Sequence, residues 1–175
     1  MATKPQPTGR ERVFPEDELI VSKTDAAGVI TYANDLFLEI SRYTEEELIG
    51  APHSLLRHPD MPRAVFGLLW DEIQAAREVF AYVKNLASDG DHYWVLAHVT
   101  PSFDGSGRVT GFHSSRRTTD PAALAAVEPL YAAMVRAERA AGPGPAAVEA
   151  GRAVLDQQLA EAGCSYEQFV FSLVA

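Results

Sequence analysis

The sequence predicts an α+β fold in which a five-stranded antiparallel sheet is flanked by short helices and followed by a C-terminal helical extension. Three observations support this prediction. β-branched and apolar stretches form a group of two before residue 34 and a group of three after residue 78, each interrupted by glycine-containing turns. Between the two groups, apolar residues recur at helical spacing. Beyond residue 120 the chain is rich in alanine, which favours helix.

The first two strands are predicted at about residues 19–24 and 29–33. Gly28 lies in the turn between them, where glycine can take the positive φ of a hairpin. Asn34 can cap the helix that follows, whose apolar residues face the sheet. Thr44 begins a capping box, Thr-Glu-Glu-Glu, which predicts a second short helix.

The longest helix of the sheet domain is predicted at residues 62–77, because its apolar residues fall on one side. Three strands follow at about residues 79–87, 91–101 and 108–118, joined by turns that contain glycine. Two strands, several short helices, one long helix and three strands are therefore the expected order of elements.

The chain is predicted to form one domain with a tail, because its 175 residues, 47% of them apolar, suffice for one good core. We expect a flexible N-terminal arm at residues 1–15, which are polar and contain three prolines. The sheet domain is expected to cover residues 16–120. A helical extension is expected at residues 121–175, with a hinge at residues 142–145, where glycine and proline alternate and a helix cannot continue.

Charge and cysteine content exclude several classes of partner. The formal net charge of −9 repels phosphate backbones, so no nucleic-acid partner is expected. The single Cys164 cannot form an internal disulfide, which fits a reducing compartment. No apolar run reaches the roughly 20 residues that a membrane helix needs. A cytoplasmic protein without membrane insertion is therefore expected.

Several short motifs point to a known family. Residues 57–62 read Arg-His-Pro-Asp-Met-Pro, residues 83–85 read Val-Lys-Asn, and residues 89–95 read Asp-Gly-Asp-His-Tyr-Trp-Val. With Ala-Asn-Asp at 33–35 and Ser-Arg-Tyr-Thr at 41–44, these motifs resemble the sensory PAS domain of bacterial aerotaxis receptors. The first motif is the most specific, because its order of residue types has no generic structural explanation.

The resemblance implies a PAS fold and a flavoprotein that binds FAD and reports redox state in signal transduction, with aerotaxis and chemotaxis as the setting. Aerotaxis receptors continue into a membrane anchor and a long signalling coiled coil, and this sequence ends before either could begin. We therefore expect the signal to pass to a separate chemoreceptor or kinase. PAS domains commonly form dimers, so a homodimer is also expected.

Three polar residues beside two prolines are the first candidates for cofactor binding. In aerotaxis sensors the matching Arg, His and Asp are needed to hold FAD, so the resemblance implies this role for Arg57, His58 and Asp60. The residues alone also allow an ion pair between Arg57 and Asp60, with His58 on the surface. His53 either belongs to the same cluster or caps a helix.

Two strand residues are further candidates. A buried amide needs partners for both its carbonyl and its NH2 group, and the pyrimidine edge of a flavin offers both. The resemblance to light-oxygen-voltage sensors, which are related PAS domains, implies this contact for Asn85; the alternative is a bond to neighbouring main chain. Arg116 falls where those sensors keep a flavin-contacting glutamine. It either stabilises reduced flavin or forms an ordinary surface salt bridge. Asn34 is either a helix cap or a weak signalling site.

Two departures from the family concern the aromatic residues. The family usually has Trp, and then Gly two residues later, where this chain has Val79 and Ala81 with Phe80 and Tyr82 interleaved. Side chains that are larger or aimed differently could fill the pocket. Trp70 and Trp94 remain, and each either lines the flavin ring or belongs to the core.

Other chemistries receive less support. A light-oxygen-voltage photoadduct needs a cysteine beside the flavin, and the only cysteine lies in the tail. Haem needs an axial histidine, but none of the five histidines follows a haem-PAS pattern. The sequence has no nucleophile elbow, phosphate loop or tight metal-ligand spacing, so an enzyme is not expected. The alternative function is a cofactor-free PAS module for dimerisation or interaction.

Overall fold

A five-stranded antiparallel sheet forms the centre of the structure, a computed structural model that describes residues 4–174. The strands run in the spatial order β2-β1-β5-β4-β3. Their bounds are Ile20–Asp25 for β1, Ile30–Ala33 for β2, Val79–Leu86 for β3, His92–Phe103 for β4 and Val109–Arg117 for β5. The predicted α+β fold and its five-stranded sheet are confirmed.

Short helices and one long helix connect β2 to β3 and cover one face of the sheet, here called the inner face. They are α1 (Asp35–Ser41), α2 (Glu45–Leu48), a 3₁₀ helix (His53–Leu56) and α3 (Arg63–Gln74). Local sequence explains where the first two begin. The Asn34 side chain accepts a hydrogen bond from the Phe37 N–H, and Thr44 forms the predicted capping box with Glu47.

The C-terminal extension consists of α4 (Pro121–Ala141), α5 (Pro145–Ala162) and α6 (Tyr166–Ser172). Pro129 lies inside α4 without ending it. Gly142 and Gly144, at φ 85° and 89°, lie between α4 and α5. A hinge at residues 142–145 stays a prediction. No helix within residues 4–174 combines the length and apolar character needed to cross a membrane.

The extension contacts the outer face of the sheet. The Tyr131 hydroxyl on α4 donates to the Tyr82 carbonyl at 2.8 Å. On α6, the Phe171 ring packs against Phe80 of β3, with ring centroids 4.8 Å apart. The extension therefore packs on β3 and β4, the strands that also carry candidate site residues.

The N-terminal arm lies along the turn between β3 and β4. Its backbone donates from Thr8 to Gly90 at 2.8 Å and from Arg12 to His92 at 2.7 Å. Asp91 accepts from Arg10 at 3.1 Å and from Arg12 at 3.0 Å. Flexibility was predicted for residues 1–15; the described part, residues 4–15, is held by these contacts, and residues 1–3 lie outside the described residues.

Candidate functional site

A cavity of about 480 Å³ lies between the inner face of the sheet and α3. Its volume falls within the range of roughly 300–1,000 Å³ that small-molecule sites occupy. The walls are mainly apolar, with a few polar groups from the sheet and from the 3₁₀ helix. The residues that line it include Ser22, His53, Arg57, Phe66, Trp70, Val83, Asn85, Ser114, Arg116 and Val148.

Arg116 enters the cavity from β5 and is the largest buried polar side chain in its wall. Only 2% of it is exposed. Its Nε donates to the Ser114 hydroxyl at 3.0 Å, and its Nη2 donates to the Ser22 hydroxyl. The Phe37 ring lies below it, with the ring centroid 4.7 Å from Cζ. Nη1 is buried and finds no hydrogen-bond partner among residues 4–174.

The charge of Arg116 is not neutralised by an acidic side chain. None of the described residues places a carboxylate within 4.0 Å of its guanidinium group. Burial lowers the pKa of Arg116 to about 10, because removing the cation from water disfavours its charged form. A guanidinium with only neutral partners therefore faces the cavity. A buried charge in this condition costs free energy unless a ligand compensates it.

His53 completes the polar surroundings of Arg116. Nη2 of Arg116 lies 3.1 Å from Nε2 of His53. A guanidinium can only donate, so Nε2 is the acceptor and the imidazole proton is on Nδ1. Burial, and then the adjacent guanidinium, lower the pKa of His53 to about 3. His53 is therefore a neutral wall residue at physiological pH.

Asn85 brings an amide to the same cavity from β3. Its side chain is 2% exposed and makes no hydrogen bond to another residue in the described part of the chain. Its main chain forms a bridge to Arg57. Its amide oxygen and nitrogen are not among the enclosed polar atoms without a partner in residues 4–174, so they keep access to the space of the cavity. The lining position of Asn85 leaves its carbonyl and NH2 group available to a ligand.

Arg57 lies between this cavity and a second one of about 750 Å³, and it lines both. Its Cζ lies 4.2 Å from the centroid of the Phe66 ring, and its buried Nε has no partner within residues 4–174. Burial lowers the pKa of Arg57. The second cavity is also lined by the basic side chains Lys4, Arg63 and Arg139 and by one acidic side chain, Glu138.

His58 and Asp60 do not line the first cavity. His58 lines the second, and its Nδ1 accepts from the Asp60 N–H at 3.1 Å. Burial is the main reason why the pKa of His58 falls to about 4. The exposed Asp60 carboxylate pairs with Arg139 of α4 at 3.1 Å, and none of the salt bridges among residues 4–174 joins it to Arg57. His58 is 2% exposed, so the alternative of an Arg57–Asp60 ion pair with His58 on the surface is wrong.

The remaining candidates lie on different sides of the sheet. Trp70 on α3 lines the first cavity and packs on Phe112, with ring centroids 5.6 Å apart. Trp94 lies on the outer face, with its ring centroid 6.0 Å from that of Tyr131. Asn34 uses its side chain for three hydrogen bonds, to the main chain of Leu19, Val21 and Phe37, and does not line the cavity.

Two polar residues of the cavity, Ser22 and Ser114, were not among the site residues predicted from the sequence. They are paired in register across β1 and β5, and both bind the Arg116 guanidinium. The alternation of side chains along a strand could have indicated Ser114, because it lies two residues before Arg116 on one strand and therefore points to the same face of the sheet. The aromatic side chains of Phe80 and Tyr82 do not line the cavity, so they leave it open.

Comparison with known proteins agrees with this architecture. A family model described as the PAS fold matches residues 20–114. The aerotaxis receptor of Escherichia coli (strain K12) is 40% identical over 134 residues, which are 77% of this chain and 26% of the receptor. Phototropin-1A of Oryza sativa subsp. japonica is 32% identical over 83 residues, 47% of this chain and 9% of that protein.

Solved structures show the same fold. The light state of the blue-light photoreceptor Aureochrome1 LOV has a TM-score of 0.54 and 24% sequence identity, covering 58% of this chain and 82% of that chain. The alignment with the aerotaxis receptor, in contrast, spans about a quarter of the receptor's length.

Proposed function

The chain belongs to the PAS family. We propose that it is a sensor that binds FAD non-covalently and reports redox or oxygen state to a separate signalling protein. One observation carries the proposal. The fully buried Arg116, without an acidic partner, faces the same apolar cavity as the unpaired amide of Asn85. The two groups together suit an electron-rich ring edge that offers both donors and acceptors.

A flavin fits these two groups. Its pyrimidine edge presents carbonyl oxygens beside an N–H, which match the donors of Arg116 and both halves of the Asn85 amide. When bound, a flavin supplies electron-transfer chemistry, and the protein orients it and tunes its electronics. Arg116 holds a positive charge in a site of low polarity, so it favours the electron-rich reduced form. His53 keeps its proton on Nδ1 and adds no second charge.

The second cavity favours FAD over FMN. FAD carries a diphosphate and an adenosine beyond the ring system, and these need space and positive charge outside the ring pocket. Arg57 lies at the junction of the two cavities, and Lys4, Arg63 and Arg139 line the second. This arrangement supports the cofactor-binding role that the family resemblance implies for Arg57, and we propose that His58 lies beside the distal part of the cofactor.

We infer the setting of the sensor from its relatives. It acts in the cytoplasm, as a homodimer, and signals to a chemoreceptor or kinase rather than catalysing a reaction. The support is its 40% identity to the aerotaxis receptor. The helical extension on the outer sheet face is the surface that would pass a change in the cavity to a partner.

Purified protein tests the proposal directly. We expect it to be yellow, and heat denaturation to release a flavin that chromatography identifies as FAD. Reduction with dithionite and reoxidation by air should be reversible. Colourless protein that takes up neither FAD nor FMN on titration would contradict the proposal and support the cofactor-free interaction module. Release of FMN alone would contradict the role assigned to the second cavity.

A further inference from the structure

Helix α3 begins without a capping side chain of its own. Its N-cap residue is Pro62, which makes no side-chain hydrogen bond to the helix. The first N–H groups of a helix have no partner within the helix and need one elsewhere when they are buried. Ala64, the second residue of α3, is fully buried.

Glu138 of α4 supplies the missing cap from a distant part of the sequence. Its Oε2 accepts from the Arg63 N–H at 2.9 Å, and its Oε1 accepts from the Ala64 N–H at 2.9 Å. The side chain is only 6% exposed. A carboxylate at a helix N-terminus gains both the hydrogen bonds and the favourable helix dipole. The anion is therefore fully accommodated within the chain.

Helix α5 closes this contact from the other side. A Cβ atom at Gly151 would overlap the Glu138 carboxylate, so glycine is required there for α5 to approach. Next to Glu138, Arg139 pairs with Asp60 in the segment that leads into α3. We call the contact of Glu138 with α3 and Gly151 the clasp.

The clasp joins the extension to a wall of the cavity. Helix α3 places Phe66 and Trp70 in that wall. Val148 of α5 also lines the cavity, and it lies against Gly67 of α3. Movement of α3 relative to the sheet therefore requires either that α4 and α5 follow or that the clasp opens.

We propose that Glu138 is a positioning residue that couples docking of the helical extension to the state of the cavity. The proposal rests on the proposed function for the identity of the cavity ligand. Coupling of this kind is reciprocal: a ligand that stabilises the α3 wall stabilises the docked extension, and a docked extension raises affinity for the ligand. If Glu138 only capped α3 and had no coupling role, replacing it would destabilise α3 but would not alter how a ligand affects α4 and α5.

Hydrogen exchange of the whole chain tests the clasp first without any ligand. Glu138→Gln keeps the shape of the side chain but turns one acceptor into a donor that faces a backbone N–H. We expect exchange to accelerate roughly tenfold or more at the start of α3 and also in α5, because a charged hydrogen bond is lost. Gly151→Ala should produce the same pattern from the other side. Glu128→Gln, on the exposed side of α4, is the matched control and should change neither region.

A second arm adds FAD to the same proteins. In the wild-type chain FAD should slow exchange in α4 and α5, and in Glu138→Gln this added protection should disappear while the cavity strands remain protected.

The outcomes separate the two proposals. Exchange in α5 that stays at the wild-type rate in Glu138→Gln, or FAD protection of the extension that persists in it, would overturn the coupling. Absence of FAD binding in the wild-type chain would overturn the coupling to the cavity ligand as well as the proposed function, and the ligand-free arm would still show whether the clasp exists.

Discussion

Replacing Arg116 by methionine should make the cofactor-free protein more stable and the flavin site weaker. Methionine has a similar length and no charge, so Arg116→Met removes the buried cation and keeps most of the packing. Most substitutions of a fully buried side chain destabilise a protein. The opposite sign is expected here because the guanidinium has only neutral partners.

The size of the effect follows from the pKa of Arg116. Burial lowers it to about 10, from about 12.5 or more for a free arginine. At about 1.4 kcal/mol per pKa unit, this difference corresponds to a destabilisation of about 3 kcal/mol at neutral pH, where the group stays charged in both states. Losing the hydrogen bonds to Ser22, Ser114 and His53, at about 0.5–1 kcal/mol each, offsets about 2 kcal/mol of that gain. The net expectation is a free energy of unfolding higher by about 1 kcal/mol.

Urea denaturation of cofactor-free protein measures this change. With an m-value of about 2 kcal/mol per molar, the midpoint should rise by roughly 0.5 M. Arg117→Met is the matched control, because the neighbouring side chain is exposed and its loss should change the free energy of unfolding by less than about 0.5 kcal/mol. A midpoint for Arg116→Met below that of the wild type would refute the view that the cation is uncompensated.

Other variants probe the remaining cavity groups. Asn85→Ala should weaken flavin affinity about tenfold or more in a fluorescence titration, because buried donors and acceptors lose their partners, and Asn85→Asp should lower the midpoint potential by roughly 30 mV or more. Arg57→Ala should weaken FAD more than FMN, and equal losses would exclude contact with the diphosphate. Acid should destabilise the fold: an unfolded histidine takes up a proton near pH 6.5, whereas His53 in the folded state does so only at about pH 3. As the pH is lowered between these values, the free energy of unfolding should fall by up to about 1.4 kcal/mol per pH unit for this residue. His53→Gln should reduce this slope of the free energy of unfolding against pH. An identical slope would show that His53 does not titrate in this way.

Local features of the fold could be predicted from sequence because their causes are local. Asn34 and Thr44 form the expected caps, and Ser165 begins a capping box at α6 in the same way. The order of strands and helices also follows from periodicity and turn residues. The two tryptophans were harder to place, because the face that each strand presents depends on register. Asn85 is paired with Tyr93, so Trp94, one residue later, points to the opposite face.

The candidate site could be predicted only in part. The family motif at residues 57–62 has polar side chains at three positions, but a turn follows Arg57, closed by a hydrogen bond from the Met61 N–H to the His58 carbonyl, and of the three only Arg57 lines the first cavity. The serine partners of Arg116 depend on the pairing of β1 with β5, which joins segments far apart in sequence. The clasp depends on a side chain 74 and 75 residues away from the N–H groups that it accepts from. No local pattern in the sequence indicates such a contact.

Two of the buried charged groups among residues 4–174, Glu138 and Arg116, differ in how the chain compensates their charge, and the difference bears on their roles. Glu138 is satisfied by two backbone N–H groups at the start of α3, so nothing outside the chain is needed to stabilise it. Arg116 has hydroxyl and imidazole partners, an unpaired Nη1 and no acidic group nearby. A buried charge that the chain itself satisfies stabilises a contact between elements, whereas one left unbalanced beside a cavity favours a ligand of opposite or electron-rich character. The same criterion explains why the substitutions should have opposite effects on the cofactor-free protein: Glu138→Gln weakens a contact that exists without ligand, and Arg116→Met relieves a cost that only a ligand would otherwise reduce.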